Sequence, residues 1–417
     1  MFMGSFKNLV AGLALVSFTA IPALAAGPAA GPVQQVGLFS KKAEDCAKDS
    51  KKDAKKKSDD SKKKSTCDNG CDGDGDGNDS CSLLQRAMNK TGIGRRLSDA
   101  GVKVSGYAQM GYHSDSTGLF NSHPDDFNLH QMYFRVTKAA DGSDGIGVGF
   151  TSDLVYGVDA QDVQSFGNED GTNDFDDDPD WDHGIYGWAM PQLYLELAKD
   201  DLSVKLGHFY AIGGYEKSRA TDNFFYSHAK TMYRAEARTL TGVLADYNVT
   251  EELTTSFGWV AGWDTGFDQA NDGDASDGSA LASSIGFEPI EGISLVYALT
   301  LGDLGERGEG YAHSVVGKLE ILDGLKYIIQ TDMLETNHHQ HVYGINQYVL
   351  YDINDTLSAG VRAEWFKVNG VSENDVTFGL NIRPRDCLVI RPEVRTDWEP
   401  SAGTDQSIFG IDVILSY

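Results

Sequence analysis

Apart from its first 25 residues, the 417-residue chain has no run of 18 or more apolar residues, which excludes a helical membrane span of ordinary length. Basic side chains are scarce. Over residues 100–417 there are 19 Lys and Arg against 50 Asp and Glu, and a body so acidic repels phosphate, which excludes nucleic acid as a partner. Cysteine is rare and unevenly placed: Cys46, Cys67, Cys71 and Cys81 precede residue 82, leaving Cys387 as a lone thiol in the body. The first four allow three disulfide pairings, favoured over zinc binding in an oxidising compartment. A Gly-x-Ser-x-Gly nucleophile motif is missing, and "NHHQH" (337–341) reads as a polar turn between strands, so no catalytic residue is assigned.

What is present begins with an export signal over 1–25: Lys7 supplies the positive end, Leu9 to Phe18 the short apolar run, and Ala23-Leu24-Ala25 the cleavage site. Residues 26–80 form a periplasmic linker, Lys-rich and then rich in Asp, Gly and Cys. Residues 41–66 alone carry 11 Lys against 6 acids and no aromatic, a solvated tether that could hold an anionic cell wall. Residues 81–100 are read as a short amphipathic helix, with Leu83, Leu84, Ala87 and Met88 on one face.

From Val102 the pattern changes to period two. In "LSAGVRAEWF" Leu357, Ala359, Val361, Ala363 and Trp365 alternate with Ser358, Gly360, Arg362 and Glu364; "VTFGLNIR" and "LVIRPEVRTDW" behave alike, so one face of each strand is greasy and the other carries ions. Tight acidic connections such as "LDGLK" (322–326) and "INDTLS" (353–358) alternate with longer ones such as 167–184 and 264–279. Short turns on one rim and long loops on the other indicate an all-β fold, a transmembrane antiparallel β-barrel over residues 101–417. The barrel has about sixteen strands, from 102–113 to 406–417, with a further pair conceivable near 213–240. The chain stops on "IFGIDVILSY", an alternating strand ending in an aromatic. Pairing of this last strand with the first would leave no edge exposed.

"SGYAQMGY" (105–112), "FNLHQMYFRV" (127–136), "DLVYGVDAQ" (153–161) and above all "SVKLGHFYAIGGYEKSRATDNFFYSH" (203–228) resemble the opening strands and third-loop region of the OmpL-like group of beta-barrel porins. The resemblance runs from about Gly101 to Tyr417 and implies a passive diffusion channel of the outer membrane. Its expected partners are membrane lipid, ions and small hydrophilic solutes, and its expected state is a homo-oligomer, a trimer.

Such a channel works through its lining. Parity places Arg362, Glu364, Arg383, Arg391, Glu393 and Arg395 away from lipid, with Lys205, Glu196 and Lys326, either facing water or neutralising one another across neighbouring strands. The long stretch 213–238 is the expected constriction: it opens on Gly213-Gly214 and mixes Glu216, Lys217, Arg219, Asp222, Lys230, Arg234, Glu236 and Arg238 with aromatics. No organic cofactor is expected. Asp72, Asp74 and Asp76 begin like a calcium loop, but the twelfth position is Leu83 instead of Glu, so any calcium binding there is weak, as it is for the outer-loop acids Asp174, Asp176, Asp177, Asp178 and Asp180. The competing readings are a barrel that anchors surface loops and a wall-binding tether, and an outer-membrane enzyme.

Overall fold

The computed structural model describes Leu84, Ala87, Met88 and residues 90–118, 120–165, 182–267 and 278–417. The export signal, the Lys-rich segment, the four N-terminal cysteines, Asp72, Asp74, Asp76 and the acids from Asp174 to Asp180 lie outside these residues. Ahead of the barrel, Leu84, Ala87 and Met88 are helical. A turn at Lys90 then leads to α1 (Gly92–Asp99), capped by Thr91, whose Oγ1 accepts a hydrogen bond from the Gly94 N–H at 3.0 Å.

The strands are β1 (Lys103–His113), β2 (Asn128–Lys138), β3 (Gly147–Gly157), β4 (Asp182–His183), β5 (Tyr186–Lys199), β6 (Leu202–Tyr210), β7 (Thr239–Asn248), β8 (Leu253–Trp263), β9 (Ala280–Ile290), β10 (Ile293–Asp303), β11 (Glu309–Leu322), β12 (Leu325–Thr336), β13 (His341–Asn354), β14 (Leu357–Val368), β15 (Val371–Arg385), β16 (Leu388–Glu399) and β17 (Thr404–Ser416). The two-residue β4 only extends the edge of β5; the other sixteen pair antiparallel with their sequence neighbours, and β17 pairs with β1 to close the ring. Every wall strand therefore has a partner on both sides, the condition for placing strands in hydrocarbon. The additional pair conceivable near 213–240 does not form; that segment goes elsewhere, as described below.

Polarity is inverted relative to a water-soluble sandwich. Leu193, Leu195 and Leu197 on β5 are 42, 55 and 50% exposed, while Arg362 on β14 and Arg395 on β16 are fully buried. In water the exposed leucines would each forfeit about 1.5–3 kcal/mol of burial; in lipid they are at home.

The rims differ, but less simply than the sequence pattern implies. On one rim the connections 200–201, 291–292, 323–324, 355–356 and 386–387 are two residues each. On the other, 114–127, 158–185, 211–238 and 264–279 are long, whereas 304–308, 337–340, 369–370 and 400–403 are short. Asn369 (φ 47°) and Gly370 (φ 93°) close β14–β15 with both dihedrals positive, the twist a two-residue hairpin needs.

Residues 107–113 of β1 pair with residues 410–416 of β17 to close the ring, and Tyr417 extends the contact. The Tyr417 N–H donates to Gly106 O at 2.9 Å, the Gly106 N–H donates to Tyr417 O at 3.3 Å, and Tyr417 Oη donates to Tyr133 O at 3.0 Å, with its ring 5.9 Å from that of Phe134. Deleting residues 409–417 would expose the edges of β1 and β16. We expect no folded barrel from that variant, scored as loss of the mobility difference between heated and unheated protein in detergent gels.

Candidate functional site

The connection 211–238, after the fifth wall strand β6, turns into the barrel. It is too rich in ions and Gly to continue a strand, and its regular structure is one 3-10 turn (Ala220–Asp222) and one short helix, α2 (Lys230–Arg234). A peptide crossing the interior must find partners for its backbone polar groups, and the inward side chains of the wall supply them.

The path runs out and back. Gly214 N and Tyr215 N donate to Ser314 Oγ on β11 and Gln330 Oε1 on β12, at 3.2 and 2.9 Å. Across the interior, Ala220 N lies 3.2 Å from Tyr107 Oη on β1, and Gln131 Nε2 on β2 donates to Ser218 O at 3.0 Å. On the return, Arg391 on β16 donates through Nη1 to the carbonyls of Ala220, Asn223 and Phe225, at 2.9–3.0 Å, while its Nε and Nη2 fork onto Asp412 of β17. Glu393 accepts from the N–H groups of Tyr226 and Ser227 at 2.9 and 3.0 Å. Arg395 Nη1 donates to His228 O at 2.5 Å, and Glu364 accepts from the N–H groups of Lys230 and Thr231 at 2.8 and 2.7 Å.

Five of the wall ions expected to face away from lipid, Arg362, Glu364, Arg391, Glu393 and Arg395, are thus drawn together beneath one loop and are buried by it. Part of their charge is neutralised within the wall: Arg391 faces Asp412 in register, and Arg395 pairs with Asp375 on β15 and with Asp397 on its own strand. Near the short-turn rim, Lys205 meets Asp246 at 3.1 Å and Glu196 accepts from Ser203, away from the loop.

Within the loop the expected residues divide. Glu216 is buried and accepts from Arg362 Nη1 (2.9 Å), Tyr348 Oη (3.1 Å) and the Ala229 N–H (2.8 Å), with His228 Nδ1 at 3.3 Å. Burial alone would raise its carboxyl; the Arg362 guanidinium and these donors outweigh it and hold Glu216 down at about 2. Glu236 is buried too, but its neighbour is Asp332 on β12, and burial with that like charge pushes its carboxyl well above the usual range. Lys217 Nζ caps the carbonyls of Gly213 and Gly214 at 3.1 and 2.9 Å. Arg219 and Asp222 pair at 3.4 Å and are part-exposed. Arg234 and Arg238 sit at the far end of the loop, towards the long-loop rim, on Glu373 (3.3 Å) and Asp264 (3.0 Å).

Sequence reasoning missed the wall glycines. A Cβ at Gly360 would come within 2.5 Å of Phe224, at Gly379 within 2.9 Å of Phe225, at Gly344 within 2.3 Å of Thr231, and at Gly111 within 2.7 Å of Tyr226. They are sockets for the loop's side chains, and the available signal was glycine recurring at inward positions of β14 and β15. Also missed was His130 on β2, whose Nε2 lies 2.6 Å from Tyr226 Oη and whose Nδ1 lies 3.0 Å from Asp159. We expect Gly360→Ala to displace Phe224 and loosen the loop without unfolding the wall, read as larger or noisier unit conductance with unchanged heat stability. His338, His339 and His341 stay at the β12–β13 turn, and among the described residues no cluster of three metal-binding side chains occurs.

Residues 101–417 match the family model described as Putative beta-barrel porin-2, OmpL-like. In structure the chain is similar to OprB of Pseudomonas putida in its high-pH form (TM-score 0.54, 10% identity, 79% of this chain and 97% of that one covered). It is also similar to an anion-selective porin from Comamonas acidovorans (TM-score 0.50, 11% identity, 76% and 99% covered) and to the outer membrane channel DcaP of Acinetobacter baumannii (TM-score 0.50, 10% identity, 76% and 97% covered). At such identities the likeness concerns the fold alone. No curated protein sequence matches the chain.

Proposed function

We propose, because this chain belongs to the OmpL-like beta-barrel porin family, that it forms a water-filled channel of the outer membrane for passive diffusion of ions and small hydrophilic solutes, with segment 211–238 as its constriction. The observation that carries this reading is the loop itself. A barrel serving only as an anchor has no use for an internal segment held by wall ions on β14 and β16, whereas a channel needs a fixed obstacle that sets its width. The outward apolar belt and the closed ring supply the membrane setting.

Purified protein in planar bilayers is expected to give stepwise, ohmic openings, and liposomes containing it should swell in small sugars. A barrel that inserts but never conducts would overturn the proposal in favour of the anchoring role. The Lys-rich segment is proposed to act separately, as a wall-binding tether: deletion of residues 26–80 should leave conductance intact and weaken retention in the cell envelope, and unchanged retention would refute the tether.

A further inference from the structure

At the end of the inward loop, beside the short connections 304–308, 337–340 and 369–370, lies a recess of about 370 Å³. Three guanidinium groups line it: Arg234, Arg238 and Arg307. Their counter-charges are unequal. Arg234 has Glu373, and Arg238 has Asp264 on Nη2, but among the described residues no carboxylate lies within 4.0 Å of Arg307. Arg307 donates to the Tyr233 carbonyl (2.9 Å), and its guanidinium carbon stands 5.5 Å from the Trp263 ring centroid. Arg238 is 9% exposed, and its Nη1 has no hydrogen-bond partner although it is buried.

A buried guanidinium N–H without an acceptor leaves its desolvation uncompensated, and an incoming anion removes that cost. The rest of the lining is mixed: Val342 and Val368 supply apolar surface beside Gln340 and Asn369. Glu306, on the same lining, is exposed, and its charge reaches both Arg238 and Arg307, which limits the negative charge the recess tolerates. Burial and the neighbouring Arg238 disfavour the charged form of Arg307 and outweigh the nearby charges of Asp264 and Glu306.

We propose that this recess binds small organic monocarboxylates with an apolar body, held by forked hydrogen bonds from Arg238 and Arg307 and packed on Val342 and Val368. The planar fork of guanidinium matches a carboxylate, and the valines favour a hydrocarbon part over bare inorganic anions. This names a solute class for the channel and so rests on the diffusion-channel reading, although binding itself is measurable without transport.

The test is calorimetric titration of the full-length, detergent-solubilised protein with sodium benzoate, sodium acetate and inorganic phosphate at constant ionic strength, alongside bilayer conductance in potassium chloride. Benzoate should bind saturably and more tightly than acetate or phosphate. Arg307→Gln should weaken it by about tenfold or more, while Lys199→Gln on the opposite rim should not. Benzoate binding that is unsaturable, or unmoved by R307Q, would overturn the site, and tighter binding of phosphate would overturn the carboxylate assignment. Saturable benzoate binding by a protein that passes no chloride current would instead strike the channel reading and leave the site standing.

Discussion

Arg362→Ala is expected to release the inward loop and raise the unit conductance of the channel while the barrel stays folded. The Arg362 guanidinium ties two residues of the loop to β15. Nη1 donates to Glu216 (2.9 Å) and to the Ser227 carbonyl (2.7 Å), Nη2 to Ser227 Oγ and to Thr377 Oγ1 (both 3.1 Å), and Nε lies 3.6 Å from Asp375. Truncation leaves Glu216 and Asp375 buried with less counter-charge, a defect that costs about 3–5 kcal/mol. The undocked loop escapes that cost by putting Glu216 in water. The wall is expected to hold, because Asp375 on β15 keeps Arg395 at 3.2 Å and β14 keeps its backbone ladders with β13 and β15, Tyr348 to Arg362 and Arg362 to Thr377. Arg362→Lys keeps the charge, but a single ammonium cannot fork between Glu216, Ser227 and Thr377, so an intermediate phenotype is expected. Conductance steps and gating noise in planar bilayers decide the matter, with heat-modifiable gel mobility as the fold control. An R362A channel indistinguishable from wild type would mean that the loop is held elsewhere.

The division between what the sequence disclosed and what it withheld follows from the range of the interactions. Strand faces are local: period two in "LSAGVRAEWF" already puts Arg362 and Glu364 with Ser358 and Gly360 on one side, and hydrocarbon on the other side makes that assignment strict. Turn positions are local as well, since Asp323-Gly324 and Asp355-Thr356 mark chain reversals by composition. The loop-to-wall partnership is not local. Glu216 and Arg362 are 146 residues apart, and nothing at either position distinguishes an ion that faces water from one that anchors a loop. Parity therefore correctly gives a lumen-facing Arg362 but cannot say that the lumen at that point is already filled. The glycine sockets were hidden for a related reason: Gly360 and Gly379 look like weak points in a strand until Phe224 and Phe225 are placed against them.

The pH response of the same anchor should change sign when its arginine is removed. In the wild type the Glu216 carboxyl is held at about 2, against an ordinary value of 4.5. A depressed carboxylate contributes to docking above its ordinary value and loses that contribution as the pH falls through the depressed one, a window from 4.5 down to about 2. The gap corresponds to about 3 kcal/mol, so between pH 5 and 8 this group should leave wild-type conductance flat. In R362A burial, the largest influence on Glu216, is opposed by His228 and the Ala229 N–H but no longer by the guanidinium, so the carboxyl is expected to rise above its ordinary value. Docking is then favoured when Glu216 takes up a proton, and is lost as the pH rises through its raised value. The variant should conduct most at neutral pH and return towards wild-type conductance as the solution is acidified to pH 4. Recordings of both proteins across pH 4–8 test this directly. An R362A channel that opens further in acid, or shows no pH dependence at all, would show that Glu216 is not the group whose burial Arg362 makes tolerable.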